Sequence, residues 1–437
     1  MADLRPIKPL LYNPSVVGDV SNVITPPYDV ISPAEQDMYR TRSPYSAIHI
    51  ELPVEGGGVG RYEYAAQLVQ LWQQQGALRP REEAAFFVHR QEFEVQGEGY
   101  ARTALLAGVR LEPWEAGVVL PHERTFRGPK QDRLELLRAT AVTPSSVFSL
   151  YEQPAAVRQV IEATTRTEPI YTATEGGVAH SLWAVADPAQ VDAISDAMAD
   201  RQLYIADGHH RYETALSYRD ERRASDGVTD PDCAYNFLAM SLVAFDDPGL
   251  VVLPTHRLVS GVSQNLVERL ADSLSRAFHV EVLDGYARTE DSLSELLGDG
   301  APYAFVLYDG RRALRVTGGE GVREQLPEGR SEAWRALDLA ALHELVLGRA
   351  LGVPADRLEE HVRYTRDVSG AFGQVDAGQA QLAAFVRPTS VHQLRAVADA
   401  HDKMPQKSTY FYPKFPAGLV INRLDLRLPA LAARVGS

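Results

Sequence analysis

Two adjacent histidines and an arginine follow an acid–glycine step at Ala206-Asp207-Gly208-His209-His210-Arg211. Residues 202–206 are apolar and β-rich, and residues 209–222 have helical character. A strand that breaks at Gly208 and restarts as a helix presents backbone N–H groups and the positive end of a helix dipole, a setting that favours an anion. Arg211 adds a fork suited to bidentate phosphate binding. The imidazoles of His209 and His210 can donate to phosphoryl oxygens. Asp207 supplies a carboxylate for a metal or a proton. The plainer alternative is that Asp207 only caps the helix and the histidines face solvent.

Three further segments carry chemistry. His122-Glu123-Arg124-Thr125 precedes Pro129-Lys130-Gln131-Asp132-Arg133. No histidine follows His122 at the spacing of a zinc protease. Glu123 is a candidate general base, and Lys130 and Arg133 are candidate phosphate contacts; the alternative is a solvated charged loop before a helix. Residues 403–414 hold Lys403, Lys407 and Lys414 with Ser408 and Thr409. They lack the glycine spacing of a P-loop, and the alternative is a lysine-rich surface loop. Thr25-Pro26-Pro27-Tyr28-Asp29 reads as a rigid turn, as compatible with pure structure as with a role for Asp29. His49, His89, His256, His343 and His401 stand alone in sequence and read as structural.

These segments must be held by a mixed α/β (α+β) architecture, since helical and strand-like periods alternate along the chain. Helices are expected over 62–75, 131–140, 191–200, 209–222, 266–278, 331–347 and 391–400. Strands are expected over 84–88, 103–109, 202–206, 237–245, 303–308, 382–386 and 418–422, with a turn at Gly97-Glu98-Gly99. Residues 309–330, rich in Gly and Arg, read as hairpins and loops. With 437 residues, several subdomains are expected, divided as 1–155, 156–320 and 321–437.

Composition narrows the function classes. The single cysteine, Cys233, excludes a disulfide framework and a zinc site built on cysteines. A net charge of −14, with no basic stripe, argues against a general nucleic-acid binder. No apolar run reaches the roughly 20 residues of a membrane span, and the first residues do not read as a secretory signal. A cytoplasmic, soluble enzyme is the expectation.

Taken together and in order, PPYDVI at 26–31, HERT at 122–125 with PKQDR at 129–133, ADGHHRYETAL at 206–216 and MPQKSTYFYP at 404–413 resemble a bacterial family of formerly unknown function. The DGHHR turn is similar to the phosphate-binding turn of the ParB/sulfiredoxin-like superfamily. It also resembles that of free serine kinases, including pyrophosphate-dependent ones. Two departures matter. His209-His210 replace the Glu-Arg of ParB proteins with no basic DNA-binding stretch after them, and the sulfiredoxin cysteine is missing from the turn. The resemblance implies a ParB/sulfiredoxin-like core with additional α/β subdomains. It implies transfer of a phosphoryl group between pyrophosphate and the hydroxyl of free L-serine, giving O-phosphoserine, or the reverse.

On that reading Gly208, His209, His210 and Arg211 hold the phosphate, and Lys130, Arg133, Lys403 and Lys407 neutralise the donor. Asp207 is the expected Mg2+ ligand and Glu123 the base, with Asp207, His209 and His210 beside it in the chemistry. His122, Thr125, Ser408 and Thr409 contact the substrate. The rivals are a phosphoserine phosphatase and a non-catalytic nucleotide- or phosphate-sensing module.

Overall fold

The computed structural model describes residues 2–123, 127–227, 230–298 and 300–430. The chain forms two compact units. The first comprises Met1–Pro121, Thr125–Val251 and Pro413–Ser437; the second comprises His122–Arg124 and Val252–Tyr412.

The first unit is built on a mixed sheet of nine strands among the described residues. In chain order they are β1 (Leu4–Arg5), β2 (Phe86–Val95), β3 (Glu98–Arg110), β4 (Val119–Leu120), β5 (Val147–Tyr151), β6 (Tyr171–Glu175), β7 (Val178–Val185), β8 (Leu203–Asp207) and β9 (Phe237–Ala244). Their spatial order is β4-β8-β5-β9-β3-β2-β7-β6, with β1 also beside β3. The β4–β8 and β5–β9 pairs are parallel and the others antiparallel. Strands β2 and β3 pair as a hairpin, with the turn at Gln96-Gly97 in place of the expected 97–99, so that Glu98 and Gly99 join the strand. Both turn residues have positive φ, the geometry that matches strand twist in a two-residue loop.

Strand β9 is buried along its whole length, as its unbroken apolar run requires. Phe237 and Ala239 pack into one core, and Leu238, Met240 and Leu242 into another, so the sheet is covered on both faces. The sheet draws strands from both sides of residue 155. Helices α1 (Arg61–Gln74), α2 (Arg127–Thr140) and α3 (His209–Asp226) belong to this unit.

The second unit holds an antiparallel six-stranded sheet: β10 (His256–Val259), β11 (His279–Leu283), β12 (Phe305–Tyr308), β13 (Ala313–Thr317), β14 (Val362–Thr365) and β15 (Leu382–Val386). They lie in the order β11-β13-β12-β15-β10-β14. Two expected helices differ here. Residues 331–347 break at Leu337, whose backbone is extended, so that Asp338 opens a new helix and pairs with Arg387. Residues 266–278 become Gln264–Glu268 and Leu270–Leu274, separated at Arg269. The expected strand at 418–422 shortens to Asn422–Arg423, and Gly418 takes a φ of 90°. Among the described residues, no helix is long and apolar enough to cross a membrane.

Candidate functional site

Strand β8 runs into α3 through one residue, Gly208, at a φ of 97°. A side chain there is disfavoured twice, by the left-handed backbone and by a Cβ that would sit 3.0 Å from the Arg211 Nε. The register of β8 against β5 shifts between Ile205 and Asp207, an irregularity that re-aims the strand end. Tyr212 fastens the first turn of α3: its ring stacks on Trp114 at 4.5 Å and its hydroxyl donates to the Glu112 carbonyl. The strand, break and helix expected from the sequence are therefore present, with His209 and His210 in the first helical turn.

Asp207 is the hub of the ion pairs. Its Oδ2 accepts from the Arg211 guanidinium at 2.6 Å, and its Oδ1 pairs with the Lys414 ammonium. Burial alone would raise this carboxyl, but Lys414 and Arg211 override it and hold the pKa well below the usual carboxylate range. Arg211 also donates to the Ser146 carbonyl at 2.6 Å, so its fork is fixed. Lys414 arrives from the far end of the chain on a segment pinned to the sheet. Gln91 donates to the Lys414 carbonyl, and the buried Arg102 donates to the Pro413 carbonyl. Arg102 itself lies between the Phe148 and Phe415 rings, and burial lowers its pKa to about 9.

The expected Mg2+ ligand does not fit this arrangement. Both Asp207 oxygens face cations, and a divalent ion placed among them would meet two positive charges at close range. No cluster of three or more His, Cys, Asp or Glu side chains suited to a metal occurs among the described residues.

Helix α2 lies alongside α3, joined by Lys130 to Glu213 at 2.7 Å and by Arg138 to Glu221. Lys130, expected to meet the donor, thus has a carboxylate partner on α3. Arg133 is buried, donates to the Glu51 carbonyl at 2.5 Å, pairs with Asp132, and stacks over the Tyr28 ring at 4.5 Å. Tyr28 belongs to the Pro-Pro turn, so part of that segment faces the same region. Burial pushes the Tyr28 hydroxyl up to about 12.

The remaining candidates, Thr125 apart, belong to the second unit. His122 is fully buried there, with its Nε2 3.0 Å from the Thr409 Oγ1, and its carbonyl accepts from the Met404 N–H. Glu123 is near enough to Arg257 and Tyr364 to act on both electrostatically. The buried Arg257 donates to the Gln406 and Lys407 carbonyls, and Arg330 donates to the Lys403 carbonyl. The Ser408 hydroxyl donates to the Pro405 carbonyl, and Lys407 is exposed. Thr125 lies outside the described residues.

Sequence reasoning assigned no role to two residues that the fold brings to the first-unit site, Lys414 and Glu51. Lys414 was visible only as one of three lysines in a loop. Glu51 showed as a lone carboxylate in the apolar run 47–53.

The family described as "Protein of unknown function (DUF1015)" matches residues 4–340. No curated protein matches the chain. Among solved structures, the chain is similar to a conserved hypothetical protein from Pyrococcus furiosus at 12% identity and a TM-score of 0.35, covering 74% of this chain and 95% of that one. A free serine kinase in complex with AMP is similar at 12% identity and a TM-score of 0.34, covering 74% and 91%. SbnI with a C-terminal truncation, from Staphylococcus aureus, is similar at 12% identity and a TM-score of 0.32, covering 74% and 87%.

Proposed function

The chain belongs to this family of proteins of unknown function, and from that premise we propose that it is a phosphotransferase acting between pyrophosphate and the hydroxyl of free L-serine. One observation carries the reading: β8 stops at a left-handed glycine and α3 starts with His209, His210 and Arg211, beside a carboxylate already paired with Lys414. A helix start with converging cations is suited to an anion of high charge density. We read this turn as the phosphate turn of a ParB/sulfiredoxin-like core. The sequence resemblance supplies the identities of donor and acceptor, and a cytoplasmic setting goes with them.

In the forward direction the serine Oγ forms a bond to one phosphorus of pyrophosphate, the bridging P–O bond breaks, and inorganic phosphate leaves. The hydroxyl proton passes to a base, for which Glu123 is the candidate. The work left to the phosphate turn is positioning and charge neutralisation, which dominate phosphoryl transfer. His209 and His210 would donate to phosphoryl oxygens, and Arg211, held by Asp207 and the Ser146 carbonyl, would add its positive charge beside them.

The deciding assay incubates purified protein with L-serine, Mg2+ and pyrophosphate, ADP or ATP in turn, and reads O-phosphoserine. Pyrophosphate is expected to give the highest kcat/KM. A clear preference for ATP or ADP overturns the donor. Release of phosphate from O-phosphoserine without pyrophosphate formation points to a phosphatase, and binding without turnover to a sensor.

A further inference from the structure

A cavity of about 40 Å3 lies in the first unit beside Arg211. Its polar lining is Tyr28, Glu51, Arg133, Thr143, Ser145, Arg211 and Thr214, and apolar side chains complete the wall.

Glu51 is the unusual member. It ends the short helix Ile48–Glu51 and is only 2% exposed. Its Oε1 accepts from the Tyr28 backbone N–H at 3.2 Å and from the Ser145 hydroxyl at 3.0 Å. Its Oε2 takes no hydrogen bond from any described residue. The two neighbouring guanidinium groups are committed elsewhere: Arg133 to Asp132 and to the Glu51 backbone carbonyl, Arg211 to Asp207 and the Ser146 carbonyl. A carboxylate largely removed from water favours a donor beside it, most of all a charged one. Burial accordingly raises the Glu51 pKa, although Arg133 and Arg211 pull against that.

A group that would meet the Oε2 oxygen is narrowed by size and charge. A water needs roughly 10–15 Å3 of such space, so the cavity has room for about three groups of that size. A primary ammonium fits: it is compact, positively charged and carries three donors. One N–H would satisfy the Glu51 Oε2, and the Ser145 hydroxyl oxygen lies against the same carboxylate as a second acceptor. An anion would meet the carboxylate. Arg211 lines the cavity and also bonds Asp207, so a small amine seated at Glu51 has its other end within the reach of the phosphate turn.

We propose that Glu51 is the ammonium-binding residue of the acceptor pocket, which makes the acceptor class a small primary amine bearing a hydroxyl. This rests on the phosphotransferase reading for the word acceptor, but the ammonium site itself does not. Calorimetric titration of the full chain with L-serine, ethanolamine and 3-hydroxypropionate tests it. Serine and ethanolamine are expected to bind, with 3-hydroxypropionate, which lacks the amine, at least about tenfold weaker than serine. Glu51→Gln is expected to weaken both amines by about 10- to 100-fold, the worth of a charge-assisted contact, with pyrophosphate affinity unchanged.

Equal binding of serine and 3-hydroxypropionate, absence of amine binding, or a Glu51→Gln protein that binds serine like the wild type would each overturn the proposal. Where Glu51→Gln does not fold, Glu51→Asp replaces it: its retracted carboxylate should weaken the amines alone, and an unchanged serine affinity counts against the site. Serine bound through Glu51 yet never phosphorylated would sink the phosphotransferase reading and leave this site standing. Serine phosphorylated with the same KM by wild type and Glu51→Gln would do the opposite.

Discussion

At the residue scale, the site is governed by which charges are already matched. Asp207 carries one negative charge against two cations, Lys414 and Arg211, so a further anion is welcome beside them. Arg211→Lys keeps the charge but loses the fork, and Arg211→Ala loses both. Steady-state kinetics on the wild type and both variants should show kcat/KM for pyrophosphate falling by about 10- to 100-fold in Arg211→Ala, with Arg211→Lys between. Serine binding, read by titration, should change less than donor use; a larger effect on serine would move Arg211 out of the phosphate role. The acid proposed as base makes a separate test. Glu123→Gln keeps the shape of the side chain but cannot take a proton, so turnover should drop by about 10²–10⁴-fold with pyrophosphate binding retained. Near-normal turnover would reassign the base.

Gly208 shows how much an element boundary can carry. Its φ of 97° is open to glycine and strained for alanine, and the added methyl would press on Arg211. Gly208→Ala should therefore lower the urea-unfolding free energy by about 1–2 kcal/mol and reduce pyrophosphate kcat/KM in the same protein; an unchanged unfolding midpoint would show that the turn relaxes freely. This boundary was legible in the sequence because three local signals agreed: an apolar β-rich run, an Asp-Gly break, and helical spacing after it. The hairpin of β2 and β3 and the buried strand β9 were legible for the same reason. The helix expected over 331–347 was not. Its pattern is continuous, and only the tertiary pair of Asp338 with Arg387 and the extended Leu337 divide it. Glu51 and Lys414 were opaque in a different way. Each is an ordinary residue whose role comes from partners far along the chain, Tyr28 and Ser145 for one and Asp207 for the other. Local pattern carries no such information.

Across the whole molecule, both units bury neutral imidazoles, and this couples the stability of each to pH. In the first unit His180 is buried, its Nδ1 3.0 Å from the His89 Nε2; in the second, the His256 Nδ1 accepts from the Val386 N–H at 3.3 Å. Burial lowers the pKa of His180 and of His256 from 6.5 to about 4, reinforced by Arg102 for the first and Arg257 for the second. A base with a depressed pKa binds fewer protons folded than unfolded between those two values. Its contribution is thus complete above pH 6.5 and is lost as the pH falls toward 4. Buried carboxylates with raised pKa values, such as Glu175 and Asp338, act in the opposite sense, so the histidine effect has to be isolated by difference. Urea unfolding at about pH 7.5 and about pH 5 should show His180→Phe losing about 2 kcal/mol less than the wild type over that interval. His256→Phe should behave alike, and the two reductions should appear in the transitions of their own units. A variant whose pH dependence matches the wild type would mean that the imidazole it lacks is already protonated, or already hydrated, in the native protein.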